Sequence, residues 1–200
     1  MSDSNWNHMG DDTATYKECP YGEIKNNYRY LKRDESADDD GEDVFAFHQK
    51  SSMTPGENEY SDCDSKYHNE WMEAIHKHDN SEFNNVSLFD SDPNDGSKNN
   101  ISVSVGYASA SISWEFSSGG EVKKSISGER PIWEVHEVWG DSRRQTIEHE
   151  PGSVIIMDDD VNDKRKLTEL RFEGHFQDDD FSRHELWHEW NIYLDNSIQD

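Results

Sequence analysis

The sequence predicts a mainly β protein, an antiparallel β-sandwich of immunoglobulin-like or jelly-roll-like type, with one short helix and a polar, acidic N-terminal arm. Val and Ile number 4 in residues 1–100 and 16 in residues 101–200, and both residue types favour pleated, half-buried strands. The second half also alternates apolar and polar residues between closely spaced turn signals, as short antiparallel strands do. We therefore expect the sheet core to lie in the C-terminal half.

The N-terminal segment, residues 1–42, is polar and acidic and is predicted to be an extended arm preceding a β-domain over residues 43–200. A strand is predicted over residues 43–49, because apolar side chains alternate there. Tyr67, Trp71 and Ile75 recur at every fourth residue. This spacing is typical of an amphipathic helix and predicts one over residues 66–78.

The predicted strands of the second half begin at Ile101. Residues 101, 103 and 105 are apolar at odd positions, whereas residues 108 to 116 are apolar at even ones, and the change of phase at Gly106 predicts a bulge or a corner. Each further strand is bounded by Gly, Pro or Asp turn signals. These strands are predicted over residues 122–127, 132–139, 153–157, 167–176 and 185–194.

The chain is strongly acidic, with a formal charge of −25 from 44 Asp and Glu against 19 Lys and Arg. In molar salt the Debye length is about 3 Å, so such a charge is screened there, and the composition resembles proteins of halophilic archaea and their viruses. Nucleic acid is not expected as a partner, because no basic stripe could neutralise phosphates. No membrane insertion is expected, since no apolar run reaches the roughly 18–20 residues of a spanning helix.

Cys19 and Cys63 are the two cysteines of the chain. Both have acidic neighbours, which disfavour the thiolate that a catalytic cysteine needs. A disulfide between them is one interpretation, and two free thiols are the other.

A short motif, His184-Glu185-Leu186-Trp187-His188, resembles the H-E-x-x-H motif of zinc metalloproteases. The resemblance implies that His184 and His188 would bind zinc from one helix face and that Glu185 would activate the bound water. The surrounding residues alternate with strand period instead, which favours a strand on which His184 and Glu185 point to opposite faces. We therefore predict no catalytic residue and no metal site, with the zinc site as the alternative.

Three runs of aspartates could supply the oxygen ligands that calcium prefers, and solvated surface loops are the other interpretation. No other cofactor is predicted. The runs are at residues 38–40, 158–160 and 178–180.

Together these features predict a non-enzymatic structural or binding protein of a halophilic archaeon or its virus, such as a virion or cell-surface component. Its expected partners are proteins or further copies of itself, with a glycan as an additional ligand if tryptophans prove exposed beside acids. A virion or extracellular location is favoured over the cytoplasm of a halophile. The alternative function is a zinc-dependent hydrolase using His184, Glu185 and His188.

Overall fold

The structure is a computed structural model that describes residues 5–34, 42–59, 66–78, 86–95, 101–107, 110–136, 138, 140–158 and 166–194. Its strands form two large antiparallel sheets and one separate two-stranded sheet. The predicted antiparallel β-sandwich is confirmed. No helix within these ranges is long and apolar enough to cross a membrane.

The first sheet has the strand order β1-β2-β3-β11-β5, and β10 pairs with the far end of β3. Its long central strand, β3, carries aromatic and aliphatic residues on both faces, because each face is covered by another layer. The strands are β1 (Trp6–Glu18), β2 (Gly22–Arg33), β3 (Glu42–Pro55), β5 (Val86–Asp92), β10 (Ile147–His149) and β11 (Gly152–Asp158).

The second sheet has the order β13-β12-β4-β9-β8. One face packs on the first sheet, and the other faces solvent. Its strands are β4 (His68–Lys77), β8 (Glu121–Ile126), β9 (Pro131–His136), β12 (Lys166–Gln177) and β13 (Arg183–Tyr193). The strands predicted over residues 122–127, 132–139, 153–157, 167–176 and 185–194 correspond to β8, β9, β11, β12 and β13.

The two-stranded sheet consists of β6 (Ile101–Tyr107) and β7 (Ala110–Phe116). It covers the outer face of the first sheet, so the described fold has three layers. Two short helical turns also occur, α1 (Gly56–Glu59) and a 3-10 turn over Gly140–Arg144.

The core between the large sheets is built from side chains that alternate along the strands. From the first sheet, Ile24 and Met53 meet Met72, Phe172 and Phe176 of the second. A further apolar cluster around Phe45, Phe47, Ile155 and Leu170 continues this layer. The largest fully buried side chain, Trp133, donates a hydrogen bond from Nε1 to the carbonyl oxygen of Pro93, 2.8 Å away.

Two predicted elements are wrong. The helix predicted over residues 66–78 is strand β4, because a spacing of four is also a multiple of the two-residue strand period. Trp71 and Ile75 therefore share the face turned away from the first sheet, where Ile75 is still buried, while Met72, Ala74 and His76 face the core. The arm predicted over residues 1–42 instead contains β1 and β2, whose polar residues are tolerated because β1 is a largely exposed edge strand.

Replacing the buried indole of Trp133 by Trp133→Ala is expected to lower the free energy of unfolding by about 3–5 kcal/mol, through lost burial and the cavity left behind. Urea unfolding followed by circular dichroism measures this change. Trp187→Ala is the matched control, because Trp187 is 52% exposed, and it should cost about 1 kcal/mol or less. Equal losses in the two variants would contradict this assignment of the core.

Candidate functional site

The β6–β7 hairpin is a self-contained unit. Its strands pair without a register shift from Ile101 opposite Phe116 to Tyr107 opposite Ala110. Within the described residues, its ladder is separate from those of both large sheets. The bulge or corner predicted at Gly106 is wrong, because the chain reverses between β6 and β7 and this reversal accounts for the change of phase.

The hairpin has one apolar face and one polar face. The side chains of the polar face are exposed and mostly small: Ser102, Ser104, Ser111, Ser113 and Glu115. The side chains of the apolar face are buried or half-buried: Ile101, Val103, Val105, Ala110, Ile112, Trp114 and Phe116. This alternation follows from the two-residue strand period.

The apolar face packs on a complementary surface, here called the seat. At one end of the hairpin, Ile101, Val103 and Phe116 join the cluster that contains Val138 and Ile147. At the other end, Val105, Ala110 and Ile112 pack against the outer face of β2, β3 and β11. The residues that contribute this part of the seat are Leu31, Val44, Ala46 and Val154.

Trp114 fixes the middle of the hairpin on the seat. Its indole Nε1 donates a hydrogen bond to the backbone oxygen of Glu150, 3.0 Å away, and its ring centroid lies 4.3 Å from that of His48. The indole fits there because Gly152 has no side chain, and a Cβ at that position would lie 2.5 Å from the ring.

The Glu150 carboxylate is held close to this indole by two basic side chains. Its oxygens lie 2.6 Å from Lys50 Nζ and 3.3 Å from His48 Nε2. Burial raises the pKa of Glu150, but these hydrogen bonds outweigh burial and hold its pKa below the ordinary value. Glu150 is therefore a charged group beneath the hairpin.

Two aspartates of β5 hold the open edge of β6. Asp92 Oδ2 accepts a hydrogen bond from the backbone N–H of Ser104 at 2.8 Å, and Asp90 Oδ2 accepts one from Gly106 at 3.1 Å. These carboxylates replace a neighbouring strand. Sequence reasoning missed them because the polar residues around β5 suggested turns, and a register shift within β5 puts Asp90 and Asp92 on the opposite face from Val86 and Leu88, which breaks the two-residue alternation.

The end of the hairpin nearest its turn is also held by side chains. The guanidinium of Arg33 lies 4.8 Å from the centroid of the Tyr107 ring, and Phe89 packs edge-on against the same ring with centroids 4.8 Å apart. The described contacts between hairpin and body are thus made by side chains or by side chain to backbone, not by a shared strand ladder.

The zinc-site residues predicted from the motif do not converge. His184, Glu185 and His188 lie on strand β13, where residues four apart are separated by about 13 Å. His184 stacks on Tyr21, and His188 lies against Tyr16 and Trp190. Glu185 faces the other side, opposite His175 of β12. The strand predicted there is confirmed, and the zinc-hydrolase alternative is wrong.

Glu185 instead joins Glu173 and His175, whose potential ligand atoms all lie within 4.8 Å of one another. Arg171 already occupies this cluster, with Nε 2.5 Å from a Glu173 oxygen and a terminal nitrogen 3.8 Å from Glu185. A positive charge at this point disfavours a cation, so we assign no ion to the cluster. Nearby, burial and then the carboxylates of Glu173 and Glu134 raise the pKa of Glu73 to about 7.

A cavity of about 410 Å³ lies at one end of the second sheet. Trp71, Phe181 and the ion pair between Arg183 and Glu70, 2.5 Å apart, contribute to its walls. Arg143 reaches His68 at the same end.

The remaining predicted residues lie partly outside the described ranges. Cys19 is disulfide-bonded, whereas Cys63 and the aspartate run at residues 38–40 are not described, nor are residues 159 and 160. In the run at 178–180, Asp178 Oδ1 accepts hydrogen bonds from the backbone N–H groups of Asp180 and Ser182 at 3.0 and 2.8 Å. This carboxylate therefore closes the turn between β12 and β13, and calcium binding stays a prediction.

No protein-family model matches the chain, and no curated protein matches it. Two similar solved structures are a protein titled "Pore forming protein", at 7% identity over 92% of this chain and 88% of that one, and the NetB toxin of Clostridium perfringens in its membrane-inserted form, at 6% identity over 94% and 99%. Both have a TM-score of 0.49. A likeness this distant does not by itself assign a function.

These comparisons nevertheless correct the sequence prediction. The similar structures are a pore-forming protein and a membrane-inserted toxin, not structural components of a halophilic virus or cell surface. The predictions of a halophilic virion or surface component, and of a protein that does not insert into membranes, are contradicted. A secreted or extracellular location, the broader part of the predicted location, is compatible with these neighbours.

The Asp92 contact generates a testable expectation for the hairpin. Asp92→Ala removes the acceptor for the Ser104 N–H and should weaken hairpin attachment by about 1 kcal/mol, or about fivefold in the opening equilibrium. Hydrogen exchange of residues 101–116, compared with residues 166–177, measures it. Asp11→Ala is the control, because Asp11 is an exposed residue that pairs with His8 in β1. Unchanged protection of the hairpin in Asp92→Ala would show that the Asp92 carboxylate does not hold the edge of β6.

Proposed function

We propose that the chain is a non-enzymatic, membrane-acting protein whose β6–β7 hairpin leaves its seat and inserts into a lipid bilayer. The observation that carries the proposal is the combination of a closed internal ladder with one wholly apolar face. Such a hairpin takes its own backbone pairing with it when it moves, and its apolar side chains require another apolar environment.

The energetics favour a bilayer as that environment. Seven apolar or aromatic side chains face the seat, and returning each to water costs about 1.5–3 kcal/mol, or on the order of 10 kcal/mol in total. Burial of these side chains in lipid hydrocarbon recovers most of this free energy, because the driving force depends on removing apolar surface from water. When the apolar face of the hairpin contacts lipid, its serine face is left in contact with water.

The described strands of the hairpin are slightly shorter than this use requires. A strand of seven residues extends for about 24 Å, whereas a spanning strand tilted by about 45° has about 9–11 residues, so a few flanking residues would have to extend each strand in the bilayer. In hydrocarbon, however, every backbone polar group needs a partner. The N–H groups of Ser104 and Gly106, now held by Asp92 and Asp90, would need another strand.

Insertion therefore requires hairpins from several copies, paired edge to edge. In the single chain, the Asp90 and Asp92 carboxylates, here called the aspartate clamps, accept hydrogen bonds from the N–H groups at the edge of β6. In the membrane, a neighbouring hairpin would accept these bonds instead. The serine faces of such an assembly would together surround an aqueous pore.

The charge of the chain limits which membranes it can approach. A formal charge of −25 opposes binding to anionic bilayers at low salt, so zwitterionic bilayers are the expected target. Action from outside the cell also agrees with the disulfide at Cys19, because disulfides persist outside the reducing cytosol.

The test is release of a trapped dye from phosphatidylcholine–cholesterol vesicles at pH 7.5 and pH 5. A disulfide between Asp92→Cys and Ser104→Cys, verified by mass spectrometry, would tie the hairpin to β5 next to the contact in which Asp92 Oδ2 lies 2.8 Å from the Ser104 backbone nitrogen. The wild type should release dye. The oxidised variant should release at least tenfold less, and a reductant should restore its release.

Wild-type protein treated with the same reductant is the control, because the reductant also reaches the native disulfide. An oxidised variant that releases dye as fast as wild type would refute insertion of this hairpin. Vesicles that stay intact with the wild type at both pH values would refute membrane action itself.

A further inference from the structure

Four histidines lie close together in and beside the core under the hairpin. His76 points inward from β4, His78 directly follows the end of that strand, His149 ends β10, and His48 lies on β3. His76, His78 and His149 are fully buried, with at most 1% of their surface exposed. Such a density of imidazole in an interior is unusual, because a protonated ring is costly to bury.

The partners of His76 and His78 are uncharged. His76 Nδ1 and His78 Nε2 lie 2.7 and 3.0 Å from the hydroxyl of Ser153, and His76 Nε2 lies 3.0 Å from Gln49 Oε1. These rings are therefore held in their neutral form by the core itself, and burial lowers the pKa of His78 to about 3.

His149 differs because neither of its ring nitrogens has a hydrogen-bond partner among the described residues. A hairpin ring packs against it: Phe116 lies edge-on, with its centroid 5.7 Å from that of His149. A fully buried imidazole without partners, packed against a hairpin side chain, gains hydration if the hairpin leaves. Hairpin opening and protonation of His149 are thus coupled.

Of the charged groups near His149, the Glu150 carboxylate favours a proton on its ring, but burial outweighs this effect and leaves the pKa of His149 low. Glu150 follows it in the chain, but that carboxylate already contacts Lys50 and His48. The residue opposite His149 in β3 is Ser51, which is uncharged. His76 faces His149 from the second sheet, and Arg29 lies opposite His48 in β2. From the described part of the hairpin, the ring of Phe116 packs against His149 and brings no charge.

We propose that the hairpin seat is an acid-sensitive catch, in which protonation of His149 stabilises the state whose hairpin has left the seat. The proposal rests on the proposed function of the hairpin and adds its trigger, a fall in pH. The trigger acts before any contact with lipid, so it can be tested without a membrane.

The direction and size of the pH effect follow from the linkage between protonation of His149 and opening of the hairpin. Burial lowers the pKa of His149 to about 3, and release returns it to the ordinary value near 6.5. Since the open state binds the extra proton below pH 6.5, the closed state is fully favoured above that pH and loses its advantage as pH falls toward 3. At pH 5 the opening equilibrium rises about 30-fold relative to pH 7.5.

The experiment is hydrogen exchange of the full chain without lipid at pH 7.5, 6 and 5, corrected for the intrinsic exchange rate. Residues 101–116 should lose about 30-fold in protection between pH 7.5 and pH 5, while residues 166–177 in β12 keep theirs. His149→Phe should abolish most of this pH response. His136→Phe is the matched control, since His136 lies on the outer face of the second sheet beside Glu134, and it should respond as wild type does.

Loss of protection in the hairpin and in β12 at the same pH would overturn the catch, because it would mean global acid unfolding. A wild-type hairpin without a pH response would also overturn it, and so would a full response in His149→Phe. If that variant does not fold, His149→Gln serves the same purpose with a neutral polar group.

Dye release separates this proposal from the proposed function. A hairpin that opens at pH 5 while zwitterionic vesicles stay intact would refute membrane action and leave the catch standing. Vesicles that leak equally at pH 7.5 and pH 5, without any change in hairpin protection, would refute the catch and leave insertion standing.

Discussion

The attachment of the β6–β7 hairpin by side chains alone is the constraint on which the rest of this account depends. A strand in either large sheet shares its backbone hydrogen bonds with neighbours and cannot leave without breaking a ladder. The hairpin's ladder is internal, so its attachment consists of apolar burial, the Trp114 bond to Glu150 and the two aspartate clamps. Each of these can be lost without unpairing the hairpin.

Some of the excess acidic residues have a structural role at the hairpin. Most carboxylates lie on the surface, but a few hold the hairpin or its seat. Asp90 and Asp92 accept bonds from the edge of β6, and Glu150 is fixed beside Trp114 by Lys50 and His48. A carboxylate is a suitable clamp because it satisfies a backbone N–H strongly without offering a strand on which a ladder could grow.

Much of the fold could be predicted from the sequence, because strands with one apolar face carry a period of two. The faces of Ile101, Val103, Val105 and Ile112 were predictable on this ground, and so was the strand nature of His184–His188. The error over residues 66–78 has a physical cause: residues four apart share a face in a strand as well as in a helix. β1 was missed because an exposed edge strand needs few apolar residues, and β2 was missed because polar residues such as Asn26 and Arg33 occupy buried positions of an inner strand.

The site itself was harder to predict than the strands. No local pattern indicates that Asp90 and Asp92 hold a strand 12 to 16 residues later in the chain, since this depends on how β5 and β6 meet. The packing of Phe116 on the buried His149 has the same origin, since the two residues are 33 positions apart in sequence. Such contacts arise from topology, which alternation does not determine.

The measurement that tests the central claim most directly is the distance between the hairpin and the body, in water and with phosphatidylcholine–cholesterol vesicles. Spin labels at Ser113→Cys, on the exposed face of β7, and Lys25→Cys, on β2, would report it by pulsed electron resonance. Both positions are exposed, and no described cysteine is free to react. The account predicts one short distance in water and an increase of about 20 Å or more in vesicles, set by a hairpin about 24 Å long. An unchanged distance in vesicles that leak would contradict the claim that the hairpin leaves its seat.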